Sequence, residues 1–77
     1  MGRALADIVV HVDEDLSEVE IRLVEDNMRL GNGIVSVRHR PDRSHLLIVT
    51  YNSEVAAAAD VVHRCQAGGL HAQLVGI

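Results

Sequence analysis

The sequence predicts an α+β sandwich of order β-α-β-β-α-β, the ferredoxin-like arrangement, with a four-stranded antiparallel sheet carrying both helices on one face. Three observations predict it. Apolar residues alternate in four short runs, they recur at helical spacing in two longer ones, and acids, glycines or a proline turn separate the runs. At 77 residues the chain reads as a single domain, 1–77, without linkers, repeats or low-complexity tracts beyond four alanines.

The first run, DIVVHVD, sets Ile8, Val10 and Val12 on one side and Val9 and His11 on the other. SEVEIRLVEDNMRLGNG changes to helical spacing, with Val19, Leu23 or Val24, and Met28 on one stripe. Ser17 and Glu20 form S-x-x-E, in which each side chain satisfies a backbone N–H of the first turn. Gly31 or Gly33 supplies the left-handed residue that closes this helix. IVSVRH and HLLIVTY flank RPDRS, where Pro41 and Asp42 stand in turn-favouring order, and so form a hairpin. NSEVAAAADVVHRCQAGG is a second helix, capped by Asn52 or Ser53, with Val55, Ala58, Val62 and Cys65 on its apolar side and Gly68-Gly69 as its stop. LHAQLVGI is the last strand. Right-handed crossovers place the third strand between the first and second, and the first between the third and fourth. One sheet face is left bare.

Composition narrows the function. Hydrophobic content of 48% excludes a disordered chain, but with no Phe, no Trp and one Tyr the core must be aliphatic. A net charge of −4 and central strands without stacking aromatics argue against nucleic acid. No apolar stretch approaches the roughly 18 residues of a membrane span. The lone Cys65 and the start MGRALADIVV, which lacks a signal-peptide pattern, point to the cytosol. The acidic VDEDLSE segment is unlike a glycine-rich phosphate loop, and no nucleophile stands beside a base, so an enzyme is not expected.

Four groups are candidates for chemistry. Asp13, Glu14 and Asp15 either favour the helix dipole or offer oxygens to a hard cation. His11 and His71 fall on the face away from the helices if Val10, Val12, Ala72 and Leu74 point inward; they are a surface pair or two ligands of a divalent metal. His39 and His45 flank the hairpin turn, in basic surroundings. Cys65 fits a small core hydrophobe better than a reactive thiol. If Leu47, Val49 and Tyr51 face the helices, then Val9, Leu46, Ile48 and Val75 form an aliphatic patch on the bare face, of the kind that marks an interface.

Gly33-Ile34, Val49-Thr50-Tyr51-Asn52 and Gly69-Leu70-His71-Ala72-Gln73-Leu74 resemble the second half of the heavy-metal-associated domain of copper chaperones and metal-pumping ATPases, Leu70 departing from the family's aromatic. That family binds soft metal through M-x-C-x-x-C between the first strand and first helix. Ungapped alignment from Gly33 puts Asp15 at the Met, Ser17 at the first Cys and Glu20 at the second. A hydroxyl and a carboxylate do not replace two thiolates for Cu(I). The resemblance therefore implies a small non-enzymatic domain without the thiolate site and without a cofactor, a protein-binding or regulatory module that can self-associate through the Val9, Leu46, Ile48 and Val75 patch. The alternative is a metal-trafficking protein that holds a divalent ion through His or carboxylate ligands, with His11 and His71 or the acidic loop as its site.

Overall fold

The computed structural model describes residues 4–40 and 43–76. Its elements follow the predicted order: β1 (Leu5–Val12), α1 (Glu18–Arg29), β2 (Ile34–Arg40), β3 (Arg43–Asn52), α2 (Ala58–Ala67) and β4 (Ala72–Gly76). The sheet order is β2-β3-β1-β4, every neighbouring pair antiparallel. The expected turn residues Pro41 and Asp42 lie outside the described residues.

Alternation fixes which face is buried. Ile8, Val10 and Val12 of β1 and Leu47, Val49 and Tyr51 of β3 pack under the helices with Val37 of β2 and Ala72 of β4. From above come Ile21 and Met28 of α1 and Val61 and Cys65 of α2. The Cys65 thiol donates to Met28 Sδ at 3.2 Å, joining the helices over the sheet. Burial pushes the Cys65 pKa up to about 11, which keeps the thiol protonated and unreactive.

Helix details differ from the sequence reading, including the apolar side of α2, where Val61 and Cys65 are buried, Val62 is partly buried and Val55 lies exposed ahead of the helix. The buried stripe of α1 runs Ile21, Val24, Met28, whereas Val19 and Leu23 are 68% and 64% exposed. Both sets have helical spacing, and the sheet selects the one that points down from the capped start. The second helix begins at Ala58 rather than after Asn52 or Ser53. Asn52 instead ends β3, and its side chain accepts from the Glu54 amide at 2.9 Å while its carbonyl accepts from Val55 and Ala56. That local turn competes successfully with helix at this point. Asp60 Oδ2 then accepts from the Ala57 amide at 2.9 Å to start α2.

Of the two glycines proposed to close α1, Gly33 has the left-handed backbone, φ +86°, and a side chain there would meet Val55 at 3.0 Å. Leu74 lies on the helix side of β4 but is 46% exposed, because β4 is an edge strand that α2 covers only partly.

Candidate functional site

The junction between β1 and α1 is built first by its cap. Ser17 has extended backbone, φ −71° and ψ 167°, and its Oγ accepts from the Glu20 amide at 3.2 Å. Glu20 Oε1 accepts from the Ser17 amide at 2.9 Å, completing the box. The Ser17 backbone N–H, and then its side chain, hold the Glu20 carboxyl below its ordinary pKa. Ser17→Ala is expected to destabilise the domain by about 0.5–2 kcal/mol in urea unfolding. An unchanged midpoint would show that the cap contributes little.

The three acids before the cap each stand beside a different histidine. His71 donates its backbone N–H to Glu14 Oε1 at 2.9 Å and to Oε2 at 3.1 Å, and its Nδ1 lies 2.6 Å from Oε2. The Asp13 amide returns a bond to the His71 carbonyl at 2.9 Å. His45 sits near the start of β3, which antiparallel pairing brings beside the end of β1. Its Nδ1 is 2.8 Å from the Val12 carbonyl and its Nε2 is 2.8 Å from Asp15 Oδ1. His11 stacks on His45, ring centroids 5.9 Å apart. Its Nδ1 lies 3.2 Å from Asp13 Oδ1 but is misaligned for a hydrogen bond, and that nitrogen is closed to solvent.

These contacts favour the charged form of each of the following groups. The His71 pKa is raised by its hydrogen bond to Glu14 and by the charge of that carboxylate. Glu14 is lowered, first by the His71 side chain and then by its backbone N–H. His45 is raised, first by the Val12 carbonyl; the charges of Asp15 and Asp13 add to this against partial desolvation.

The sequence reading singled out His11 and His71 together, but the structure engages them separately, His11 with Asp13 and His45, and His71 with Glu14. Among the described residues no group of three or more His, Cys, Asp or Glu is arranged to hold a metal ion. His45, read from sequence as a turn residue, is instead the most highly connected side chain of the junction. His39, read likewise, binds Glu25 of α1 at 3.0 Å. Only the pairing of β3 with β1 brings His45 and the acids together. No local spacing signals it.

On the bare face Val9 pairs with Ile48 and His11 with Leu46 in the register, so these side chains are neighbours. Val9, Leu46 and Ile48 are half-buried. Val75 falls at a bulge, where Val10 pairs with Leu74 and Val9 with Gly76, and it is 57% exposed. Arg38 lines the same face opposite Ile48.

The architecture is that of the heavy-metal-associated domains, here with a hydroxyl–carboxylate cap at the head of α1. The chain superposes on a copper-binding domain of the P-type ATPase HMA7 with a TM-score of 0.82, 16% identity, and 91% and 93% of the two chains covered. A putative copper-ion-binding protein of Bacillus anthracis gives 0.80 at 19% identity, covering 94% of this chain and 100% of that one. Oxidized MerP from Ralstonia metallidurans gives 0.81 at 11%, covering 92% and 97%. No protein-family model matches the chain, and no curated protein matches it in sequence. Likeness at these identities is likeness of fold. No helix among the described residues is long and apolar enough to cross a membrane.

Proposed function

We propose that this chain is a non-enzymatic, cytosolic module of heavy-metal-associated fold that has given up the sulfur site and acts through protein contact. The observation that carries this reading is the reciprocal capping box of Ser17 and Glu20 at the turn where the resembling family places its two cysteines. Both side chains are committed to backbone N–H groups, and neither is a soft ligand. The contact surface is the bare sheet face, with Val9, Leu46 and Ile48 at its centre, Val75 on its edge strand, and a second copy of the chain as the first occupant to test.

Sedimentation velocity across a concentration series tests it. The expected result is reversible association that Leu46→Asp or Ile48→Asp weakens at least tenfold, since each would bury an unpaired carboxylate in an apolar contact. A chain that stays monomeric at every concentration, with both variants indistinguishable from it, would remove the self-association part. Saturable, stoichiometric binding of Zn2+ in the same buffer would favour metal handling instead.

A further inference from the structure

His45 stands apart from the other histidines because both of its ring nitrogens face oxygen atoms. Nδ1 is 2.8 Å from the Val12 carbonyl, and Nε2 is 2.8 Å from Asp15 Oδ1. A carbonyl and a carboxylate only accept, and a neutral imidazole carries one N–H, so it can satisfy one of them. The imidazolium donates to the carbonyl and pairs its charge with the carboxylate. We propose that the β1–α1 loop is a proton-operated latch, closed while His45 is an imidazolium bridging Val12 and Asp15, and released at Asp15 when that proton leaves.

The two contacts are unequal, a hydrogen bond to a carbonyl and an ion pair with a carboxylate, and this sets which one breaks. The Val12 carbonyl belongs to the last residue of a central strand, and its contact with His45 is partly buried. The Asp15 side chain is 97% exposed and readily solvated. Deprotonation therefore leaves the proton on Nδ1 and turns the Nε2 lone pair toward the Asp15 carboxylate, which repels it. The neighbouring groups bias the same equilibrium. Asp13 and Asp15 favour the charged ring, against which His11 of β1 stacks. Glu14, next to Asp15 in the loop, is held by the His71 backbone N–H as well as by its ring. An amide does not titrate in this range, so Glu14 stays tethered and acts as the hinge.

The sign follows from the raised folded-state pKa of His45. Stabilisation of the closed loop is complete below the ordinary histidine range and is lost as pH rises through the raised value. The latch needs no partner protein, and stands whether or not the bare face self-associates.

Ring 15N and backbone amide NMR on the full chain tests it. In mildly acidic solution both His45 nitrogens should carry protons. With rising pH Nε2 should lose its proton while Nδ1 keeps it, and the Asp15 and Leu16 amides should shift with that same midpoint. Asp15→Asn, at an exposed position that should not disturb folding, should move the His45 midpoint down. His45→Gln should abolish the shared loop transition but leave the Glu14–His71 contacts in place. A neutral His45 holding its proton on Nε2, or loop amides that ignore the His45 titration, would overturn the latch.

Discussion

Met28→Ala should bring the domain close to unfolding. Met28 is 1% exposed, wedged between the sheet and Cys65, and truncating a buried methionine costs about 2–5 kcal/mol through lost transfer energy and the cavity left behind. A 77-residue domain holds roughly 4–12 kcal/mol in all. Leu23→Ala, on the same helix at 64% exposure, should change stability by no more than about 0.5 kcal/mol. Urea unfolding followed by circular dichroism compares the two. If Leu23→Ala were the more damaging, the phase of α1 on the sheet would be wrong.

The second large effect is a gain of function. Ser17 and Glu20 bond each other's backbone N–H groups, so their side chains share the first turn of α1. Thiolates there would sit at a helix N-terminus, which lowers their pKa, and would form a soft pair suited to Cu(I). The double change Ser17→Cys with Glu20→Cys should therefore take Cu(I) from a chromophoric chelator that the unchanged chain leaves fully loaded. It should also lose about 0.5–2 kcal/mol with its cap, regained when the metal binds the folded form. An unchanged chain that strips the chelator as well as the variant does would sink the lost-site reading.

Most of the architecture was legible because it rests on local rules. Alternation in DIVVHVD and HLLIVTY gave the buried faces of both central strands, and S-x-x-E gave the cap of α1. Helix details were less legible, among them the burial of Val61 in place of Val55 on the second helix. Val19 and Leu23 have spacing as good as Ile21, Val24 and Met28, and only the position of the sheet chooses between them. Asn52 is an equally good cap or turn residue, and its backbone turn took precedence. The junction was least legible. The acidic triplet was visible, but its histidine neighbours at positions 45 and 71 are distant in sequence and become neighbours only through strand order.

That distance bears on when the junction forms. The His45–Val12 bond spans 33 residues and the His71–Glu14 bonds span 57, so beyond its helix cap the loop is tied down by long-range contacts. Closing such loops is entropically unfavourable until the strands on either side have paired. The acid–histidine contacts are thus expected to form late in folding, and what they stabilise to show mainly as slower unfolding.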